Sequence, residues 1–275
     1  MHPPAEAASA AVRRELERHE GRVAGATGRR FVDLGDAVLV HDEGASEPWR
    51  TWLGDVRWPS SEREFDMRLV DGLTLFARID RRPSVWVQPA ASTPADLAER
   101  LVAGGFMAAE TAYRMRLGHD ARESVAAALD RPELDIVVLA SAPARGDPVV
   151  AEAAQVMAAA FGVARPRLVR ELEAGLAVPG ATLVVVVAAG EEAVGAGRSF
   201  ALDGAAYLSA IGVRPGWRSR GIGRLVTAAL ATAAFGAGSR TVHLGVAVDN
   251  IPAWRAYAAL GFRALGPPAT RLELR

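Results

Sequence analysis

Arg214-Pro215-Gly216-Trp217-Arg218-Ser219-Arg220-Gly221-Ile222-Gly223-Arg224 is an arginine- and glycine-rich turn between an apolar strand and an amphipathic helix. The strand is Tyr207-Leu-Ser-Ala-Ile-Gly-Val213. In the helix, Ile222, Leu225, Val226, Ala229 and Leu230 recur at the spacing of one half-buried face. Gly221 and Gly223 present no Cβ, so a ligand can approach the backbone closely. The first helical turn offers unpaired N–H groups at the positive end of the helix dipole, where an anion binds well. Arg214, Arg218, Arg220 and Arg224 surround it with fixed positive charge. The stretch reads as a place to hold phosphates. A plain glycine-containing strand-to-helix turn with solvated arginines is the competing reading of these residues taken alone.

The residues downstream decide between the two. Thr241-Val-His-Leu-Gly-Val-Ala-Val248 is a buried strand by its β-branched content. It leads into Asp249-Asn250, a helix N-cap pair, with Pro252 in the first turn where a missing N–H costs nothing. A helix over Ala253–Leu260 follows, and Gly261 ends it in the manner of a left-handed cap. Ala253 and Tyr257 share one face of that helix, with Asn250 at its mouth.

With both motifs in place, the chain resembles the GCN5-related N-acetyltransferase (GNAT) superfamily. Arg218-x-x-Gly221-x-Gly223 after a strand, then Asn250-x-x-Ala253-x-x-x-Tyr257-x-x-x-Gly261-Phe262, carry the resemblance, which covers about the last 140 residues. It implies that the turn (Arg218, Ser219, Arg220, Gly221, Ile222, Gly223, Arg224) binds the pyrophosphate of acetyl-coenzyme A through backbone amides. It also implies that the strand bearing Ile211 and Val213 pairs with the pantetheine arm, that Asn250 contacts the cofactor, and that Tyr257 protonates the departing thiolate. No metal is implied. The residue types suit the chemistry: an amine must reach the thioester neutral and oriented, the leaving thiolate needs a proton, and the carbonyl oxygen needs a donor near Ile211–Val213. The expected acceptor is an amine of a small molecule or peptide, and the expected activity is an N-acetyltransferase using acetyl-CoA. A non-catalytic coenzyme-A sensor and a nucleotide- or phosphate-binding protein are the alternatives.

The strand before the turn departs from the family pattern, because it carries no carboxylate to act as general base. Tyr207 and Ser209 lie on it, Asp203 stands upstream and His243 on the neighbouring strand, so no base is assigned.

The rest of the second half fits one domain. Ile136–Leu139 is an opening strand, Val149–Phe161 and Arg167–Leu176 are helices, and Thr182–Ala188 and Val194–Phe200 are strands. Asp203-Gly204 turns the chain into the strand at Tyr207, and Thr270–Arg275 is a short last strand. The loop Leu265–Ala269, with two prolines, is expected to border the acceptor pocket.

In the first half, Ala5–Glu20 reads as a helix, and Phe31–His41, Leu73–Ile79 and Val85–Val87 as strands. Pro94–Phe106 reads as a capped helix ending in Gly-Phe, followed by a strand at Tyr113–Leu117. That ending repeats the pattern of Ala253–Phe262 and points to a second, degenerate GNAT-like domain without the glycine turn. The tandem arrangement resembles mycothiol-synthase-like proteins. The expected architecture is α/β, with two tandem domains each built on a mixed sheet flanked by helices. Residues 1–121 form the degenerate domain, 122–133 a linker and 134–275 the catalytic domain. Trp49, Trp52, Trp58 and Trp86 concentrate in the first half, where they fill a core or line an acceptor pocket.

Composition bounds the rest. The 275 residues suffice for two domains, half of them hydrophobic, and the formal charge is zero. Such a balance gives no electrostatic case for nucleic acid. No apolar run is long enough for a membrane span. The first residues lack the marks of a signal peptide, so the expected location is the cytoplasm. There are no cysteines, which excludes disulfides and thiolate chemistry. Every one of the 32 basic residues is arginine, a compositional bias rather than a mechanism.

Overall fold

The computed structural model describes residues 9–140, 146–188, 190 and 192–275. The chain runs α1 (Ala10–Ala26), β1 (Arg30–Asp33), β2 (Val38–His41), β3 (Trp52–Gly54), α2 (Glu62–Arg78), β4 (Ser84–Val87), α3 (Leu97–Ala103) and β5 (Phe106–Gly118). It continues through α4 (Arg122–Ala127), β6 (Leu134–Leu139), α5 (Pro148–Phe161), α6 (Arg165–Leu176), β7 (Ala181–Ala188), β8 (Glu192–Leu202) and β9 (Ala205–Val213). Last come α7 (Ile222–Gly236), β10 (Thr241–Ala247), α8 (Ile251–Ala258), β11 (Arg263–Ala264) and β12 (Ala269–Leu274). The architecture is mixed α/β, as the sequence predicts.

Contacts divide the chain into two units, residues 1–114 with 264–275, and residues 115–263. This corrects the expected boundaries. In the first unit β12 lies between β4 and β5, antiparallel to both. Its Leu272 enters a core with Leu53, Trp58, Phe65, Phe76, Leu97 and Phe106. The end of the chain therefore completes the first unit's core. Strand pairing across some 160 residues leaves no local mark in the sequence, so the nearest domain looks like the owner.

Within the first unit β1, β2 and β3 are antiparallel neighbours, and β3 pairs parallel with β4 around α2. The stretch expected as a strand at Leu73–Ile79 is instead the last part of α2. Phe65, Leu69, Gly72, Leu73 and Phe76 fall on one helical face, and Phe65, Gly72 and Phe76 are buried. The helical period over the full 17 residues outweighs the β-like composition of its end. The predicted helix at Ala5–Glu20 is α1, starting at Ala10 behind a Ser9 cap, and residues 5–8 of that prediction lie outside the described residues. Trp52 and Trp58 are buried in this unit and Trp86 packs against the cluster that holds Trp52, whereas Trp49 is about half exposed.

The second unit follows the predicted order of strand, two helices, three strands, helix, strand and helix. β6, β7, β8 and β9 are successive antiparallel neighbours, and β9 pairs parallel with β10 across α7. Asp203 and Gly204, both at positive φ, make the two-residue hairpin between β8 and β9. α7 lies directly on β8. A Cβ at Gly195 would stand 2.5 Å from Ile222, and one at Gly197 2.8 Å from Val226. The predicted face of α7 (Ile222, Leu225, Val226, Ala229, Leu230) is buried, but Thr227, Ala228 and Ala231 are buried too, so the helix is covered beyond the one half the periodicity predicts.

Candidate active site

The residues of the two motifs lie at one end of the parallel pair in the second unit. β9 and β10 are in register only over Ala205–Tyr207 and Thr241–His243, and beyond Tyr207 and His243 they are not paired with each other. Residues 208–213 of β9 and 244–247 of β10 therefore run on as the two sides of an opening.

On the β9 side the strand contains a bulge. Ala196 faces Gly212 and Arg198 faces Ser209, so two residues, Ala210 and Ile211, stand where Gly197 is the single residue opposite. Ala210 takes φ of +54°, a conformation uncommon for a residue with a Cβ. The extra residue reverses the alternation of side chains. Tyr207 pairs with Phe200, which packs against Gly175 of α6, and Ser209 accepts from Arg198 Nε at 3.3 Å, so both sit on the α6 face. Past the bulge, Ile211 and Val213 lie toward α7. Ile211 Cγ1 is 3.1 Å from the position a Cβ on Gly197 would take, and Val213 Cγ2 is 3.6 Å from that on Gly223. Gly212 meets α5 instead, where a Cβ would come within 2.9 Å of Ala160. Nothing in Ser209-Ala210-Ile211 announces this bulge, since the usual glycine is missing.

The turn follows directly. Pro215–Trp217 make one short 3₁₀ turn, Ser219 takes φ of +63° and Gly221, the N-cap of α7, takes φ of +79°. No side chain caps α7, and its first intrahelical bond is Leu225 N–H to the Gly221 carbonyl. Among the described residues, none of the backbone N–H groups from Ser219 to Arg224 has a hydrogen-bond partner. Two left-handed residues two apart, leading into an uncapped helix, are an arrangement able to hold an anion. Ile222 is buried, whereas Arg218, Ser219, Arg220, Gly221 and Arg224 are exposed.

The surrounding arginines are less free than their number suggests. Arg214 Nη1 is 2.8 Å from Glu192 Oε1, Arg218 Nη2 donates to the Ala160 carbonyl at 3.4 Å, and Arg220 lies over the Trp217 ring at 4.8 Å. Arg131, placed in the linker by the sequence reading, also reaches this turn. Its Nη1 donates to the Arg220 carbonyl at 3.4 Å and stands 3.2 Å from where a Gly221 Cβ would be.

On the β10 side, Asn250 caps α8, its Oδ1 accepting from Ala253 N–H at 3.3 Å. That leaves its amide NH₂ available to a ligand. Gly261 has φ of +93°, and Phe262 N–H reaches back to the Tyr257 carbonyl at 3.1 Å, the left-handed ending the sequence predicts. Tyr257 is 8% exposed, packs beside Phe262 at 6.0 Å between ring centroids, and burial pushes its hydroxyl up to about 12. α8 packs on α7.

The groups considered as base separate clearly. Asp203 is exposed in the hairpin at the other end of β9 from the glycine turn. His243 is buried and stacks beside Tyr207 at 5.1 Å, where the strands part.

The sequence profile of the acetyltransferase (GNAT) family matches residues 152–262, which include β9, the turn, β10, Asn250 and Tyr257. Over residues 152–262 this chain is similar to GNAT domains. Solved structures share its fold over most of the chain. A GCN5-related N-acetyltransferase from Kribbella flavida is 20% identical, with a TM-score of 0.65 over 92% of this chain and 94% of that one. A tandem GNAT protein from the clavulanic acid biosynthesis pathway is 18% identical, with a TM-score of 0.62 over 87% and 78%. A GCN5-related N-acetyltransferase from Sphaerobacter thermophilus is 19% identical, with a TM-score of 0.56 over 89% and 82%. At such identities the fold is what is shared. A search of curated protein sequences found no match.

The two units repeat one plan. Each has antiparallel strands, a parallel pair spanned by a helix, then a helix ending in Gly-Phe, at Gly105-Phe106 and Gly261-Phe262. The fold of the whole is thus a GNAT-like tandem. The first unit also has a positive φ at the first strand of its parallel pair, at Asp55, just after β3 rather than within the strand as Ala210 is in β9. Its parallel pair, however, does not stay open. The backbones meet again at Arg57 and Thr93, with Thr93 N–H on the Val56 carbonyl at 2.9 Å and Trp58 N–H on the Thr93 carbonyl at 3.0 Å. The Asp55 N–H is taken by the buried Glu17 carboxylate at 3.0 Å. Glu62 and Glu64 occupy the first turn of α2, where the second unit has glycine and arginine. Among the described residues, no helix is long and apolar enough to cross a membrane.

Proposed function

We propose that the GNAT domain transfers an acetyl group from acetyl-CoA to an amine of a small molecule or peptide. The observation that carries this reading is the run of unpartnered N–H groups from Ser219 to Arg224, set at the mouth of the opening between β9 and β10. Phosphates fit the first feature and an extended thioester arm fits the second. Gly221 and Gly223 leave both uncrowded.

In this reading Ser219–Arg224 hold the pyrophosphate through backbone N–H groups. The open edge of β9 at Ile211 and Val213 pairs with the pantetheine arm and orients the thioester. A β9 N–H in that stretch stabilises charge developing on the carbonyl oxygen. The Asn250 amide donates to the cofactor from the start of α8. The amine nitrogen bonds to the carbonyl carbon, the carbon–sulfur bond breaks, and Tyr257 gives its proton to the thiolate. Burial keeps Tyr257 fully protonated at neutral pH, as an acid requires. The amine's own proton leaves to solvent, and the tyrosinate takes a proton back from solvent, so the protons balance.

Thermal melts with acetyl-CoA and with ATP test this reading. A ligand at about 100 times its Kd adds about 2.7 kcal/mol of stability. Stabilisation by acetyl-CoA over ATP, followed by amine-dependent thiol release, is the expected result. Stabilisation by ATP alone would convert the site into a general nucleotide site. Stabilisation by acetyl-CoA without release by any amine would favour a coenzyme-A sensor.

A further inference from the structure

We infer that Arg131 is a positioning residue for the phosphate turn: it holds the Arg220 carbonyl and so aims the Gly221 N–H at the ligand. The proposal rests on the acetyl-CoA reading of the turn.

The peptide between Arg220 and Gly221 has two ways to face. Its carbonyl and its N–H point in opposite directions, so fixing one fixes the other. Glycine at positive φ tolerates both orientations of the preceding peptide, and turns that differ by such a flip are close in energy. Nothing inside the turn selects one, because α7 has no capping side chain. Arg131 supplies the selection from outside. Its Nη1 donates to the Arg220 carbonyl at 3.4 Å and rests 3.2 Å from where a Gly221 Cβ would be, on the carbonyl side of that peptide. The Gly221 N–H is thereby turned the other way, and Arg131 stands behind the concavity rather than inside it.

Arg131 is itself held. Its Nε is 2.5 Å from Glu133 Oε1, and a backbone hydrogen bond at Glu133, together with the bond from Arg131, draws the Glu133 carboxyl below its ordinary range. The segment bearing both residues follows α4, which packs against α7. The same helix contact that seats α7 thus carries the guanidinium to its N-terminus. Arg131 needs no direct contact with phosphate for this role. Its positive charge near the turn acts in the same direction.

The experiment uses the full chain with coenzyme A as the probe, comparing wild type, Arg131→Met and Arg131→Lys by calorimetry and by amide NMR. In wild type the Gly221 amide proton should move downfield on binding. Arg131→Met should weaken coenzyme A about tenfold and lose the Gly221 shift, while the melting temperature without ligand stays within about two degrees. Arg131→Lys, which keeps a donor and the charge, should recover most of both. An Arg131→Met protein that binds as wild type, or that keeps the Gly221 shift while binding weakly, would overturn the positioning role and leave the acetyl-CoA reading standing. A wild-type protein that does not bind coenzyme A would overturn both.

Discussion

Trp58 donates its backbone N–H to the carbonyl of Thr93, and this bond draws together two chain segments whose counterparts in the second unit stay apart beyond Tyr207 and His243. The first unit has kept the plan of the second unit's opening and filled it with its own backbone. Coenzyme A is therefore expected to bind with a stoichiometry of one per chain in isothermal titration. Two sites per chain would mean that the Thr93 closure opens.

Gly221→Val should abolish that single site. Valine at φ of +79° is strained, at a cost of about 1–3 kcal/mol, and its side chain would meet the Arg131 guanidinium. Affinity for coenzyme A should fall at least about tenfold, the effect of about 1.4 kcal/mol. Unchanged affinity would remove the turn from the binding site.

Tyr257→Phe should cut kcat by a factor of about 100 while leaving the Kd of acetyl-CoA within about twofold, since an acid acts in the transition state. The wild-type tyrosine, with its hydroxyl at about 12, contributes no titration to the rate profile near neutrality. Its effect on stability has a fixed sign. A raised value means that the unfolded chain loses this proton first, so stability is intact below about pH 10 and falls as pH rises toward 12. Tyr257→Phe should lack that alkaline loss in chemical unfolding. A variant as fast as wild type would reduce Tyr257 to packing.

Gly195→Ala tests how α7 is seated. The added methyl would stand 2.5 Å from Ile222, the first residue of α7, and 3.0 Å from Val226. Overpacking of this kind costs about 1–3 kcal/mol. Because Ile222 directly follows Gly221, coenzyme A affinity should fall together with the melting temperature. A stability loss with unaltered affinity would show that the turn moves independently of its helix.

Glu17→Gln addresses the closed cleft of the first unit. Burial raises the Glu17 carboxyl above its ordinary value, against the pull of Arg114. A raised carboxyl gives its full stability at low pH and loses it as pH climbs through the folded-state value. The unfolding midpoint of wild type, compared with Glu17→Gln, should therefore decline as pH rises from 4.5 to 7.5. A relative gain over that range would mean that the ion pair with Arg114 outweighs burial.

The legible parts of this protein are the local ones. Arg218-x-x-Gly221-x-Gly223 specifies a turn through the backbone freedom of its own glycines, and Asn250, Pro252 and Gly261 mark both ends of a short helix. Each acts on neighbours a few residues away, which is the range a sequence pattern covers. The bulge at Ala210 escaped notice because alanine carries no sign of positive φ, and it is imposed by the register with β8. Arg131 escaped for a related reason. It lies 89 residues before Arg220, and only the packing of α4 on α7 brings the two together. The closure at Thr93 and the position of β12 are likewise pairings between distant segments.

That position of β12 has a consequence for synthesis. During synthesis residues 115–263 emerge before Leu272 does, while the first unit still lacks the strand that separates β4 from β5. The unit translated first is completed last. A released chain truncated after Arg263 should present a protease-resistant second unit behind a first unit that is still readily cut.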